Sequence, residues 1–329
     1  MRKKEFYLDK IKCGEQKIKS LVTFCFTKHI ILLFLSERGI FMNKFVLFSD
    51  SACDLEVETF RKWNIKYLDL SLSFIDDNKI LYNSEINIKD FYQKMRDGRV
   101  AKTAAANSES FKKAFEEELV KGNDILYVGF SSGLSTTFNS ARLASIELME
   151  KYPDRKIKVV DSLCASAGQA MLLYFACQQR DSGVDLIQAA KYLEDIKLNM
   201  CHFFTVSDLV YLKRGGRISS ATAFVGGLLG IKPVLHVDND GHLVSIGKVR
   251  GRRHSIKALA QKYGEYVKEQ GKGPIYICHG DCIDDVDLLK RILKEDYGVE
   301  VDMIVNTGPV IGAHSGPGTL ALFFVGRER

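Results

Sequence analysis

A cluster of hydroxyl side chains follows an apolar run in the segment FSSGLSTTFNSA, residues 130–141. A nucleophile elbow needs the pattern Gly-x-Ser-x-Gly; Gly133 and Ser135 fit it, but Thr137 stands where the second glycine should be. The phosphate-loop pattern Gly-x(4)-Gly-Lys-Ser/Thr occurs nowhere in the chain. What remains is a strand–loop–helix junction, whose free backbone N–H groups and hydroxyls can bind an anion. The alternative is that these residues only cap the helix, because Ser and Thr are common N-cap residues.

Two other segments carry groups suited to an anion. In KTAAANSESF, Thr103 precedes three alanines and a helix that Asn107 or Ser108 would cap, although a single loop threonine is usually structural. In NTGPVIGAHSGPGTLALFF, His314 lies in a loop with four glycines and two prolines, directly before an apolar strand. Imidazole donates a hydrogen bond to a carboxylate whether it is neutral or charged. Both segments are candidates for contact with an anionic ligand.

Polar residues also end the first strong strand of the chain. KFVLFSDSACD reads as a buried strand that runs into Ser49, Asp50 and Ser51. Ligands of open α/β sheets bind at the carboxyl ends of the strands. These three residues, together with Ser131 of the hydroxyl cluster, are therefore predicted to support the site.

Two basic segments stand out in the second half of the chain. LKRGGRI contains Arg214 and Arg217, and KVRGRRH contains Arg250. Guanidinium groups bind carboxylates and phosphates through paired hydrogen bonds, so a partner that handles phosphate is one interpretation. The other is an ordinary solvated basic surface.

The order of elements predicts an α/β protein. Up to about residue 200, apolar runs such as DILYVGF alternate with amphipathic helices, which indicates a doubly wound, mostly parallel sheet. Beyond residue 200, a hairpin turn predicted at NDGH and further strands and helices indicate a second α/β domain with a mixed sheet. We predict domains at 43–200 and 201–329 and an extension, outside the fold, at 1–42.

Composition and charge limit the function classes. The chain has 329 residues, is 46% hydrophobic and carries a formal net charge of +6. Nine Lys or Arg and four Asp or Glu give residues 1–41 a charge of +5, which leaves +1 for the rest. The body therefore lacks the basic excess of a nucleic-acid-binding protein, and no nucleic-acid partner is expected.

The N-terminal segment and the cysteines bear on the cellular location of the protein. The apolar stretch 21–35 is interrupted by Lys28 and His29, which falls short of the ~20 apolar residues of a membrane span. No Ala-x-Ala cleavage site follows it, and Met42 stands just before the first strand, so Met42 is the expected start; a membrane-surface helix is the alternative. The eight irregularly spaced cysteines suit reduced thiols of a cytoplasmic protein. CHGDC, Cys278–Cys282, lacks a second ligand pair, so no metal site is predicted.

Seven segments, in this order, resemble the signature segments of the DegV family, and the resemblance covers essentially residues 43–329. The segments are FSDSACDL, SSGLSTTFNSA, DSLCASAGQ, LKRGGRI, IKPVL, KVRG and GAHSGPGTLALFF. The resemblance implies a two-domain DegV-like fold and a cytoplasmic bacterial protein, expected to be a monomer, that binds a long-chain fatty acid in a tunnel between the domains. It implies no cofactor and no integral membrane segment, with transient contact with a membrane surface left open.

The resemblance also assigns residues and a partner. It implies that Thr103, Ser132 and His314 hold the fatty acid carboxylate, and that a separate fatty acid kinase phosphorylates it with ATP to give acyl phosphate for phospholipid synthesis. We expect Arg214, Arg217 and Arg250 to face that kinase. Many family members carry Ser-Gln-Pro after the threonine, where this chain has three alanines at 104–106. The alternative function from another class is a serine hydrolase or acyltransferase that uses Ser132 and His314.

Overall fold

The computed structural model describes residues 45–77, 79–218 and 230–329. The predictions about residues 1–42, including a start at Met42, lie outside the described residues. Among the residues that are described, no helix has the length and apolar character needed to cross a membrane.

Strands and helices alternate along most of the described chain. The strands are β1 (Phe45–Asp50), β2 (Ile65–Leu68), β3 (Ser71–Phe74), β4 (Leu81–Tyr82), β5 (Ala101–Ala104), β6 (Asp124–Gly129), β7 (Ile157–Asp161), β8 (Met200–Thr205), β9 (Ile231–Val237), β10 (Leu243–Arg250), β11 (Ile275–His279), β12 (Met303–Asn306) and β13 (Leu320–Val325). The α-helices are α1 (Val57–Lys62), α2 (Ile88–Arg96), α3 (Ser108–Leu119), α4 (Thr137–Lys151), α5 (Ala167–Asp181), α6 (Leu186–Ile196), α7 (Val210–Arg214), α8 (Arg252–Tyr266), α9 (Ile283–Tyr297) and α10 (Pro309–Ser315).

The first half of the chain builds a four-stranded parallel sheet in the order β2-β1-β6-β7. Neighbouring residues of β1 belong to separate hydrophobic cores: Leu47 packs with α5 and α6, whereas Phe48 packs with α3 and α4. Because successive side chains of a strand point to opposite faces, the helices cover both faces of this sheet. The predicted doubly wound parallel sheet is confirmed.

The second half builds a six-stranded mixed sheet in the order β10-β9-β8-β13-β11-β12. Only its β11–β12 pair is parallel, and β9 and β10 form the predicted hairpin. Gly241 in the hairpin turn has φ +78°, a conformation that glycine adopts without strain. The predicted mixed sheet is confirmed.

The sequence prediction missed a third sheet. The segment IKYLDLSLSFI, residues 65–75, reads from its sequence as one strand, but β2 ends at Leu68 and joins the parallel sheet, while β3 pairs with β4 and β5 in a separate antiparallel sheet. The Asp69–Leu70 step between them lets the chain change sheets. The predicted loop around Thr103 is in fact β5, where Thr103 lies opposite Leu72.

Helix α5 lies between the two large sheets. Its first seven residues are all buried, and it shares one core with strands of both sheets. At Gly168 the helix touches β8 so closely that an added Cβ would lie 1.9 Å from His202 Nε2. Glycine is therefore required where the two halves of the body meet.

Candidate ligand-binding site

A cavity of about 710 Å³ lies where the loops after the parallel strands face one side of the mixed sheet. His202 and Phe204 of β8 alternate along that side, as do Ala321 and Phe323 of β13. The small third sheet and helix α10 supply the remaining walls. The volume falls in the range that ligand pockets occupy, roughly 300–1,000 Å³.

The parallel sheet places the loop 130–136 at this cavity for a topological reason. The chain leaves β1 toward β2 on one side and leaves β6 toward β7 on the other, so a crevice opens at the carboxyl ends of β1 and β6. Asp50 fixes the start of the loop, since its carboxylate accepts hydrogen bonds from Phe130 N at 3.0 Å and Tyr127 Oη at 2.7 Å. Burial raises the pKa of Asp50, and these hydrogen bonds oppose that rise.

Thr103 and His314, 211 positions apart in sequence, form a hydrogen bond in the cavity wall. Thr103 Oγ1 and His314 Nε2 are 2.8 Å apart, and both residues line the cavity. Burial, followed by the nearby Arg217 guanidinium, lowers the pKa of His314 to about 4. The imidazole is therefore neutral near pH 7. Its Nδ1 is buried and has no hydrogen-bond partner within the described part of the chain.

His314 occupies a short helix rather than the loop that the sequence predicted. Pro309 begins α10 and Gly316 ends it, a combination that favours both helix ends. The imidazole packs directly on Gly215, where an added Cβ would lie 2.2 Å from Nδ1. A larger residue at 215 would displace the ring.

The hydroxyl cluster does two things. Ser132 is exposed, lines the cavity, and its backbone N–H donates to Asp161 Oδ1 at 3.2 Å. Ser135 Oγ accepts from Thr137 N at 3.2 Å and lies 2.9 Å from Thr137 Oγ1, so it caps α4 while it also lines the cavity. The anion-binding and helix-capping interpretations are thus compatible in one loop.

The residues predicted to support the site lie behind the cavity lining. Ser131 Oγ donates to the Gly241 carbonyl at 2.9 Å and so ties the loop to the β9–β10 hairpin. Ser49 Oγ donates to the Val128 carbonyl at 2.8 Å, and Ser51 Oγ accepts from Leu70 N at 2.9 Å. All three serines are buried and hold neighbouring segments of the wall together.

The three arginines fall into two groups. Arg214 and Arg250 are exposed; Arg214 lies at the cavity rim with its guanidinium 5.8 Å from the Tyr211 ring, and Arg250 ends the edge strand β10. Arg217 is half-buried in the cavity wall, where Nε donates to the Leu134 carbonyl at 3.1 Å and Nη1 donates to the Gly215 carbonyl. Arg217 therefore differs from the expectation that it faces outward to a partner.

The geometry required of a serine hydrolase is incomplete. A catalytic serine needs a histidine base in hydrogen-bond reach, and that histidine needs a third group to orient it. His314 is instead bonded to Thr103, and no carboxylate among the described residues bonds its Nδ1. Helix α4 begins at Thr137 without the strained, glycine-flanked turn of a nucleophile elbow.

A buried polar group deeper in the cavity was missed by the sequence prediction. Ser166 Oγ lies 2.9 Å from Cys278 Sγ, which lies 2.9 Å from Thr307 Oγ1 and 3.8 Å from Asp54 Oδ2. We call these four residues the inner cluster. Each is at most 6% exposed, and burial raises the pKa of Asp54 to about 7. Asp54 is the last residue of the FSDSACD segment, and that position was the only feature of the sequence that pointed to it as a site residue.

The CHGDC segment contributes to this cluster instead of forming a thiol pair. Cys278 belongs to the inner cluster, whereas Cys282 Sγ lies 3.3 Å from the Thr319 carbonyl. Across the described ranges, no group of three or more His, Cys, Asp or Glu side chains is placed to hold a metal ion.

Taken together, the structure is an α/β protein of two large sheets and one small one, with a ligand-sized cavity whose wall holds a hydroxyl–imidazole pair. The chain matches, over residues 44–327, the family model described as "Uncharacterised protein, DegV family". A DegV domain-containing protein of Clostridium perfringens is 43% identical over 287 residues, which are 87% of this chain and 98% of that protein. The chain belongs to the DegV family, and the resemblance seen in the sequence is confirmed.

Solved structures agree with this assignment. A DegV lipid-binding protein from Thermotoga maritima has a TM-score of 0.76 at 31% identity, covering 87% of this chain and 99% of its own. A stearic acid-binding protein from Eubacterium ventriosum has a TM-score of 0.78 at 27% identity, covering 86% of this chain and 98% of its own. The two-domain α/β fold of these relatives is the fold of this chain.

Proposed function

We propose that this protein is a non-enzymatic carrier that binds a long-chain fatty acid in the cavity, with the carboxylate against Thr103, Ser132 and His314. The Thr103–His314 hydrogen bond in the wall of a deep, largely apolar cavity carries the proposal. A neutral imidazole and two hydroxyls suit a carboxylate because all three groups can donate. The stearic acid bound by the E. ventriosum relative supports the same ligand class.

Arg217 belongs with the carboxylate in this proposal. Its charge lowers the pKa of His314, which places the guanidinium within electrostatic range of the imidazole. A buried carboxylate needs a compensating charge or several donors, and Arg217 supplies both. We therefore reassign Arg217 from the partner surface to the ligand site.

The alkyl chain supplies most of the binding free energy. About 14 methylenes of a sixteen-carbon acid, at ~0.8 kcal/mol each, give roughly 11 kcal/mol before the costs of ordering are subtracted. The apolar side chains of β8 and β13 offer the matching surface. The polar groups mainly set the orientation of the acid.

We further propose that the carrier is a cytoplasmic monomer that presents the acid to a separate kinase. In that step a carboxylate oxygen attacks the γ-phosphorus of ATP, the bond to the β-phosphate oxygen breaks, and acyl phosphate and ADP form. Arg214 at the rim and the exposed Arg250 support docking of a phosphate-bearing partner. The carrier itself makes or breaks no bond, so the proposal requires no cofactor, and loading allows transient contact with a membrane surface.

Native mass spectrometry tests the ligand class. The full chain, as purified, should carry the mass of a long-chain acid, and delipidated protein should take up palmitate in a 1:1 ratio. Absence of an acid in both preparations would refute the carrier. Turnover of p-nitrophenyl esters with fluorophosphonate labelling of Ser132 would support the hydrolase instead.

A further inference from the structure

The inner cluster places hydrogen-bonding groups where an alkyl chain would need none. Ser166, Cys278 and Thr307 line the same cavity as Phe204 and Phe323. Buried polar groups facing hydrocarbon lose their hydrogen bonds to water and keep only those that they form within the protein. A cavity that held only unsubstituted chains would be better lined by apolar side chains at these positions.

The hydrogen bonds within the inner cluster are weak ones. Ser166 and Thr307 both have Cys278 Sγ as their side-chain partner, and sulfur is a poor donor and acceptor. Asp54 Oδ1 has no hydrogen-bond partner among the residues the structure describes, while Ser166 and the Gly308 N–H lie close enough to the Asp54 carboxyl to oppose the rise in its pKa. The cluster therefore has unused capacity for a better partner, such as a hydroxyl oxygen.

The backbone at Ser166 is also strained. Its φ of 54° and ψ of −140° place a non-glycine residue outside the usual regions. Such outliers persist only where the surroundings enforce them, and they concentrate at ligand sites. Here the strained residue starts α5 and directs its hydroxyl to the cluster.

The inner cluster lies apart from the carboxylate site. Thr307 precedes α10 and His314 lies near its end, and the seven residues of α10 rise roughly 10 Å. An acid held by its carboxylate at His314 would thus bring the middle of its chain, not its head, beside Thr307. A polar substituent at the middle of the alkyl chain would therefore lie beside the inner cluster.

We propose that the inner cluster is a second polar subsite, and that this protein binds long-chain acids with a mid-chain hydroxyl more tightly than unsubstituted acids. The inference rests on the proposed fatty-acid-binding function and adds the substrate class. The ligand hydroxyl would exchange hydrogen bonds with the Ser166 and Thr307 hydroxyls, which line the cavity. Hydroxylated acids would then fill hydrogen bonds that stearate leaves unmade.

Competition binding to delipidated full chain tests the proposal, with stearate, 10- and 12-hydroxystearate, and 2-hydroxystearate as the control with its hydroxyl beside the carboxylate. At least one mid-chain isomer should bind about fivefold or more tightly than stearate, the effect of one added hydrogen bond. Equal or weaker binding of both mid-chain isomers, with stearate bound, would overturn the subsite. Failure of every acid to bind would instead overturn the carrier function.

Variants locate the effect. Thr307→Val keeps the shape of the side chain, and Cys278→Ser gives Ser166 and Thr307 a stronger internal partner; each should abolish the preference, measured as the ratio of hydroxystearate to stearate affinity in the same variant. Thr136→Val, at a cavity-lining threonine of the 130–136 loop, is the matched control and should keep the preference. If either cluster variant fails to fold, the other decides. A preference retained in the folded variants would refute the assignment.

Discussion

The Thr103–His314 pair is partly buried and the inner cluster is fully buried, and burial shifts the pKa of His314 and that of Asp54 in opposite directions. It lowers the pKa of His314 to about 4 and raises that of Asp54 to about 7. Each shift disfavours the charged form, so both regions tend toward neutrality in the folded protein. The two regions differ in charge: the half-buried cation Arg217 lies beside His314, and no residue of the inner cluster is a cation.

This contrast supports the proposed orientation of the ligand. An anionic head group would gain from Arg217 and from neutral donors, whereas the inner cluster offers it no positive charge. A neutral hydroxyl needs no such charge at the inner cluster. The two regions thus separate charged from uncharged polar groups within one cavity.

The largest expected effect concerns Asp54 and pH. Because its folded-state pKa of about 7 exceeds the ordinary 3.8, Asp54 binds a proton more tightly in the folded chain. Its contribution to stability is complete below about pH 4 and is lost as the pH rises through 7, a change of roughly 4 kcal/mol. Asp54→Asn should remove this loss, so the Tm difference between variant and parent grows by about 5 °C or more from pH 5 to pH 8. Thermal unfolding measures it.

Asp76→Asn is the matched control, because Asp76 is exposed and its pKa is lowered by the Arg99 hydrogen bond. Tm–pH curves of Asp54→Asn that run parallel to those of the parent would show that Asp54 does not titrate in this range. In that case the contrast between the lowered pKa of His314 and the raised pKa of Asp54 would not hold.

The second effect concerns Arg217. Arg217→Ala should weaken palmitate binding about 10- to 100-fold, since hydrogen bonds to charged groups contribute roughly 1.5–3 kcal/mol. Hexadecanol, which has no charge, should bind parent and variant alike. Isothermal titration calorimetry measures both ligands, and Arg214→Ala at the rim is the matched control. An equal loss for acid and alcohol would mean that Arg217 only holds Leu134 and Gly215 in place.

Much of the fold could be predicted because its signals are local. Asn107 was one of two residues predicted to cap a helix, and its side chain accepts from the backbone N–H of Ser110. The alternation of apolar runs with helices gave the parallel sheet. The short elements were missed: β4 has two residues and β12 has four, too few for a periodic pattern.

The site was predicted in part, and the missing part is non-local. Thr103 and His314 could be named, yet their mutual hydrogen bond links β5 to α10 across 211 positions. The contact of Asp54 with Cys278 spans 224 positions and carries no spacing signal. The inward position of Arg217 depends on where the 130–136 loop folds back to meet it. Such contacts follow from topology rather than from any short motif.

A third prediction concerns the coupling within the Thr103–His314 pair. Thr103→Val and His314→Ala should each weaken palmitate binding by about 1–3 kcal/mol, and Ser132→Ala by an amount in the same range. Because Thr103 and His314 share a hydrogen bond, the double variant should lose less than the sum of the two single losses, by roughly 0.5 kcal/mol or more. Ser132→Ala combined with Thr103→Val is the comparison pair. Strict additivity for Thr103 and His314 would show that they bind the acid independently.

The smallest expected effect on ligand affinity concerns Arg214 and Arg250. Their substitution tests whether a partner kinase docks at this part of the surface. Both side chains are exposed, so Arg214→Ala and Arg250→Ala should leave palmitate affinity unchanged within about twofold. If these arginines dock a phosphate-bearing kinase, each substitution should instead lower the rate of acyl-phosphate formation severalfold in a reconstituted assay. Salt should shrink the difference between parent and variant, because exposed charges are screened. Lys294→Ala, at an exposed residue paired with Glu300, is the control outside the rim. Unchanged rates for both arginine variants would remove the partner surface and leave the cavity as the only functional region supported by the described residues.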